Sequence, residues 1–265
     1  MLGLIAGSGL LPREIAIAHP DDVLVCAYDG AELSNVSPDL VFRLETLGSL
    51  FNDLSARGVT RVCFAGGIAR PVFDPSALDN ETLPLVPELK TALLQGDDGG
   101  LRRVAALFEA RGIAVVGAHE LAPHLLPEKG VLTRAQPGKD APRDIERART
   151  LLQILSRADV GQSCVVAHGQ ILAVEAVFGT AWMLDSLRQR PDAAGGLFYK
   201  APKAGQDRRF DLPVIGPETV DQAVLAGLDG IVIESGGVMV LDQTAVRQAC
   251  DDAGLYLWVH APGEA

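Results

Sequence analysis

Short apolar runs closed by glycine recur along this chain, and segments with helical spacing alternate with them. Leu2–Ala6 ends in Gly7-Ser8-Gly9, and a helical pattern follows to Ala18. Val23–Tyr28 is a second run of strand length, and residues 41–45 read as a third. Residues 47–57 put Leu50, Phe51, Leu54 and Ala56 on or near one helical face, and a strand over 59–65 then stops at Gly66-Gly67. Helices over 88–94 and 100–111 and an apolar run at 113–117 complete this half. Strands that alternate with helices predict a parallel, Rossmann-like α/β sheet.

The second half reads differently. Residues 123–142 are rich in proline, glycine and charge and are taken as a linker, which divides the chain into 1–130 and 131–265. Residues 143–157 form an amphipathic helix with Ile145, Ala148, Leu151, Leu152 and Leu155 inward. Apolar runs at 162–167 and 170–177 flank His168-Gly169 and predict a hairpin. A helix over 180–188, a strand at Leu197–Lys200, apolar runs at 220–228, Gly230–Glu234 and 238–241, a helix over 244–253 and a strand over 255–259 follow. Hairpins mixed with helices predict a mixed sheet in this second α/β domain.

Composition narrows the class. The 265 residues are 48% hydrophobic and 22% charged, enough for two buried cores. A formal net charge of −11 argues against a general nucleic-acid binder, whose affinity rests on many cations. Cys26, Cys63, Cys164 and Cys250 lie far apart without a CxxC pair, so buried reduced thiols are expected. The N-terminus lacks a basic stretch and carries Gly-Ser-Gly and Pro12, which reads as strand and turn rather than a signal peptide. No apolar run reaches the roughly 18 residues of a membrane span, so a cytoplasmic protein is expected.

The chemistry concentrates in residues 200–220. Lys200, Lys203, Arg208 and Arg209 surround Gln206, Asp207 and Asp211, and Pro202, Gly205, Pro213 and Gly216 break the backbone before a helix opens at Pro217-Glu218-Thr219. Mixed charge in an irregular segment between apolar runs suits a phosphorylated ligand and its metal ion; a solvated loop is the bland reading. Gly7-Ser8-Gly9 follows a strand and opens a helix, as a phosphate-binding turn does, although Pro12 stands where GxGxxG has its third glycine. Asp29 lies where a ribose-binding acid would sit, yet polar residues at strand ends are common. In a parallel sheet Gly66-Gly67 lies at the same edge, with Arg70 either a phosphate ligand or a surface ion pair. One of Asp97 and Asp98 caps the following helix, and the other is free for metal or ribose. Glu175 interrupts an apolar run and is either on an open sheet face or in a site. The five histidines show no zinc spacing, and Trp182 and Trp258 read as core or pocket wall.

LIAGSGLLP, ADVGQSCVV with LAVEAVFGT, GDDGGLRRV, KAPKAGQDRRFDLPVIGPETV and GLDGIVIESGGVMVLD together resemble the I-type UDP-2,3-diacylglucosamine pyrophosphatases over essentially the whole chain. The resemblance implies two domains with the ligand between them. It also implies magnesium-dependent hydrolysis, with water attacking the sugar-side phosphorus to give UMP and lipid X in lipid A biosynthesis. It implies an acylated UDP-glucosamine substrate and transient contact with the inner membrane surface. Asp207 and Asp211 are then expected to bind metal or orient water, with Glu175 completing the shell. Phosphate contacts come from Lys200, Lys203, Arg208 and Arg209, and Gln206, Thr180, Thr219 and Arg70 join the substrate site. The nucleotide lies against Gly7, Ser8, Gly9, Gly66 and Gly67, and the helix around 182–187 walls an acyl crevice. One departure stands out. Relatives commonly read E-G-T-D where this chain has Phe178-Gly179-Thr180-Ala181, so Ala181 occupies the place of an expected catalytic aspartate. Either an aspartate was replaced there to trap a ligand, or the position has no role in this chain. The rival readings are a carrier or sensor of an acylated nucleotide sugar and a nucleotide-sugar oxidoreductase.

Overall fold

The computed structural model describes residues 1–68, 72–94, 97–191, 194–210 and 212–261, with the side chains of Asp97 and Asp98 excepted. Arg70 and Asp211 lie outside the described residues. The chain forms two units. One is Met1–Pro123 with a short piece of the second half that begins at Asp207; the other is His124–Gln206 with the chain from Leu212 on.

The first unit runs β1 (Leu2–Ala6), α1 (Leu11–Ala18), β2 (Val23–Tyr28), β3 (Leu40–Phe42), α2 (Leu47–Ala56), β4 (Arg61–Ala65), α3 (Val86–Leu93), α4 (Asp97–Glu109), β5 (Ala114–Val115) and α5 (Ala118–Leu121). Its five strands are all parallel, in the order β3-β2-β1-β4-β5. Strand order reverses between β1 and β4, the place where open α/β sheets bind ligands. Gly7–Gly9 leaves β1 and Gly66-Gly67 leaves β4, so both glycine turns flank that switch point. Leu50, Phe51 and Leu54 of α2 and Phe108 of α4 are buried against Ile5, Val62 and Phe64 of the sheet. Phe108 meets Phe51 and Phe64 edge to face at 4.8 and 5.5 Å.

The second unit runs β6 (Gly130–Val131), α6 (Ala141–Ser156), β7 (Ser163–Ala167), β8 (Gln170–Val174), α7 (Gly179–Ser186), β9 (Leu197–Lys200), β10 (Val214–Ile215), α8 (Pro217–Leu225), β11 (Gly230–Glu234), β12 (Met239–Val240), α9 (Gln243–Ala253) and β13 (Tyr256–His260). Its main sheet has the order β6-β13-β11-β9-β7-β8. Strands β9, β11 and β13 are parallel, and β6, β7 and β8 run antiparallel to their neighbours. Alternation along the strands builds two cores. Leu197, Tyr199, Val232 and Tyr256 pack with Ile145, Ala148 and Leu152 of α6. Phe198, Ile231, Ile233 and Leu257 pack with residues of α7, α8 and α9. A strand covered on both faces reads as a continuous apolar run, and that is how these strands read.

Two expectations are corrected. Residues 123–142 are not simply a linker, because β6 lies inside them and pairs with β13. Of the two readings of Trp182, core or pocket wall, its 59% exposure excludes the core. All four cysteines are buried, and burial pushes each thiol up to about 12, which leaves it protonated and unreactive at neutral pH. Among the described residues no helix is long and apolar enough to cross a membrane.

The switch point tolerates little bulk at one glycine and much at its partner. A Cβ at Gly7 would lie 2.5 Å from the Gly67 carbonyl oxygen, whereas one at Gly67 meets nothing within 4 Å. Gly7→Ala is expected to cost about 1–3 kcal/mol in urea denaturation. Gly67→Ala is expected to cost less than about 0.5 kcal/mol.

Candidate functional site

In the second unit β9, β11 and β13 end on Lys200, Glu234 and His260. Antiparallel pairing brings the start of β7 to the same edge, with Ser163 opposite Lys200 in register. Glu175 follows the last residue of β8, and its amide donates to the Ser163 carbonyl. Helix α7 then starts beside them. Lys200 Nζ donates to Thr180 Oγ1 at 2.9 Å, and that hydroxyl donates to Glu175 Oε2 at 3.1 Å. Ser163 Oγ donates to the same oxygen at 2.5 Å. Lys200 is only 7% exposed and Ser163 is fully buried, so this is a cation held in the protein interior by a relay of hydroxyls to a carboxylate. A charge so buried is tolerated only with such company.

The structure therefore brings together three residues of the expected site, Glu175, Thr180 and Lys200. Ser163 joins them. Nothing local distinguished it, and only the sheet register places it there. Ala181 is the third residue of α7, exposed and next to Thr180. Phe178 and Trp182 on either side are exposed, with ring centroids 5.2 Å apart. The rest of the charged segment in this unit is engaged internally. Lys203 Nζ pairs with Asp159 at 2.5 Å, and Gln206 Oε1 accepts the Lys203 amide. Thr219 Oγ1 accepts the Gly216 amide and so caps α8.

In the first unit the glycine turns are bonded to the protein and to each other. Gly7 N donates to Ala65 O, Ser8 N to Gly67 O, Gly67 N to Ser8 O and Gly9 N to Glu32 O. A phosphate at this turn would thus not find the amides of residues 7–9 waiting. Gly7 and Gly66 are required by close backbone approach, since a Cβ at Gly66 would also lie 2.6 Å from Ser8 O.

The segment from Asp207 is anchored to this unit by Phe210, which is buried and meets Phe64 edge to face at 5.9 Å. Arg209 donates to Asp207 through its amide, Nε and Nη2 at 3.1, 3.0 and 2.8 Å, and through Nη1 to Glu109 at 2.7 Å. These bonds hold the Asp207 carboxyl below the usual carboxylate range. Arg208 is exposed, with its carbonyl beside Gly117. It lies close enough to His119 to help lower that imidazole below the usual range, burial being the larger cause. Buried His119 Nδ1 has no hydrogen-bond partner among the described residues. The absence of zinc spacing among the histidines gave no sign of this environment.

Of the expected metal set, Glu175 belongs to the relay of the second unit. Asp207 is committed to Arg209, Asp211 is outside the described residues, and no three His, Cys, Asp or Glu side chains among the described residues come together as a cage.

A Rossmann-like unit followed by a mixed α/β unit with a buried Lys–Thr–Glu–Ser relay is the architecture in which the sequence comparisons can be placed. Residues 1–125 match the LpxI N-terminal domain and residues 128–258 the LpxI C-terminal domain, and the chain belongs to the LpxI family. It is 37% identical over 278 aligned residues to UDP-2,3-diacylglucosamine pyrophosphatase LpxI of Caulobacter vibrioides, a match covering 97% of this chain and 96% of that protein.

The Asp207–Arg209 pair has a pH signature. A carboxyl whose pKa is lowered by folding adds stability above its unfolded value, near 3.9, and loses it as pH falls through the folded value. Asp207→Asn is expected to be less stable than the parent at pH 7 by about 1 kcal/mol, the worth of a charged hydrogen bond discounted for screening at half-exposed Arg209. Urea midpoints of the two proteins should converge below pH of about 4.

Proposed function

We propose that this chain hydrolyses the pyrophosphate of UDP-2,3-diacylglucosamine in lipid A biosynthesis, giving UMP and 2,3-diacylglucosamine 1-phosphate, with water attacking the sugar-side phosphorus. The observation that carries the reading is the full-length identity to a protein of that name. The relay in the second unit supports it chemically. Cleaving a phosphoanhydride needs positive charge fixed before the reaction where phosphate oxygens gain negative charge. Lys200 supplies a buried ammonium, and Thr180 fixes its direction by accepting from it while donating to Glu175. Ser163 and Thr180 both occupy Oε2 of Glu175, which leaves Oε1 to orient the attacking water.

Magnesium belongs to the reading through family resemblance. The ion would keep several of its own waters and bind pyrophosphate oxygens, as small hard dications commonly do. Exposed Phe178 and Trp182 beside Thr180 offer apolar surface for acyl chains, and we place the reaction at the cytoplasmic face of the inner membrane. Ala181 sits in the first turn of α7, where a carboxylate is favoured by the helix dipole, and an aspartate there would complete the acidic set. The same alanine is the one observation that favours a non-catalytic binder of this ligand.

UMP release from UDP-2,3-diacylglucosamine, with and without magnesium, tests the reading. Lys200→Met, close in volume, is expected to lower turnover by about 100-fold or more. Ala181→Asp is expected to raise it. Equal turnover by the parent and Ala181→Asp would remove position 181 from the mechanism. Retained substrate without UMP release from either protein would replace the hydrolase by the binder.

A further inference from the structure

The amino ends of β9, β11 and β13 frame a cavity of about 600 Å³ at the opposite end of the strands from Lys200. That volume suits a small molecule. Asp140 and Asp144 line it from the start of α6, Asp229 and Tyr256 from the starts of β11 and β13, and exposed Lys139 and His168 from its rim.

Asp144 and Asp229 each commit one oxygen to a loop amide. Asp144 Oδ1 accepts from Gly169 N at 2.6 Å, and Asp229 Oδ2 from Gly196 N at 2.8 Å. The second oxygen of each has no hydrogen-bond partner among the described residues. Asp144 is 4% exposed, and the nearest guanidinium atom, Arg143 Nε, stands 3.8 Å away, beyond hydrogen-bond reach. Tyr256 is also 4% exposed, and its hydroxyl has no hydrogen-bond partner among the described residues. Burial, then Asp229 and Asp144, push this phenol up, so the hydroxyl lies in the field of both carboxylates and keeps its proton. Asp144 is the buried carboxylate of the three, Asp140 and Asp229 being exposed. Arg143 stands 3.8 Å from Asp144 Oδ1 and Lys139 lies at the rim, so three carboxylates face two cations around a space edged by an unused hydroxyl. A cation reaching the second oxygen of Asp144 would be favoured.

We infer that this cavity binds a small organic cation bearing a primary ammonium group, with Asp144 and Asp229 receiving the charge and the Tyr256 hydroxyl meeting a polar atom of the ligand. The site is separate from the proposed hydrolytic relay.

Putrescine is the probe, with 1,4-butanediol as its uncharged counterpart, and the Gly169 and Gly196 amides report occupancy in heteronuclear NMR. Saturable shifts at both amides with putrescine, and none with the diol, are expected. Asp229→Asn and Tyr256→Phe keep the local packing and are each expected to weaken binding about tenfold, the worth of one charge-assisted hydrogen bond. Lys200→Met is expected to bind putrescine like the parent whatever its turnover. Absence of saturation up to about 10 mM, equal response to the diol, or undiminished binding by both cavity variants would overturn the inference.

Discussion

An ammonium group in a protein interior must be matched by charge or dipoles, and Lys200 imposes that requirement on the second unit. It ends a strand whose preceding residues, Leu197, Phe198 and Tyr199, are almost wholly buried. The matching groups come from three separate places. Thr180 opens a helix, Glu175 follows a hairpin strand, and Ser163 starts the strand beside Lys200. Removing one partner of such a buried charge leaves the other uncompensated, a loss of about 3–5 kcal/mol. The hairpin, the turn into α7 and the register of β7 on β9 are thus tied to one another through a single cation.

Both faces of the sheet are covered, so its edges are where chemistry can meet solvent. Alternate residues of β9, β11 and β13 go to α6 or to α7–α9 and leave no face open for a ligand. The carboxyl edge gathers Lys200, Glu234 and His260, and the antiparallel β7 and β8 deliver Ser163 and Glu175 to the same edge because one begins and the other ends there. In the first unit all strands are parallel, and the corresponding edge is closed at its switch point by hydrogen bonds between the two glycine turns. Glycine has the same backbone requirement in both uses. Here close approach of one turn to the other is sufficient to require glycine at Gly7 and Gly66.

The charged segment after β9 shows how charge of mixed sign can be spent internally. Lys203 is drawn to Asp159, and Arg209 to Asp207 and Glu109. Past Gln206 the chain joins the other unit, where Phe210 packs among Phe64 and its aromatic neighbours. The pairing of Asp207 with Arg209 engages both carboxylate oxygens, Oδ1 with the amide and Nε and Oδ2 with Nη2.

The sequence alone determined the class of the fold and much of its element order. Apolar runs closed by glycine marked β1, β2 and β4. His168-Gly169 marked the β7–β8 hairpin, and the helical spacing of Ile145, Ala148 and Leu152 marked α6. It also singled out Glu175 as a polar interruption of an apolar run and Lys200 as one cation of a mixed-charge segment, because local pattern makes both visible. Tertiary structure decided who meets whom. Ser163 became Glu175's partner through strand register, β6 emerged from a proline-rich stretch by pairing with β13, and Trp182 was left outside its core. Periodicity is a property of neighbouring residues, whereas hydrogen-bond partnership, burial of an isolated charge and the free space at a sheet edge depend on elements that meet only when the chain is folded.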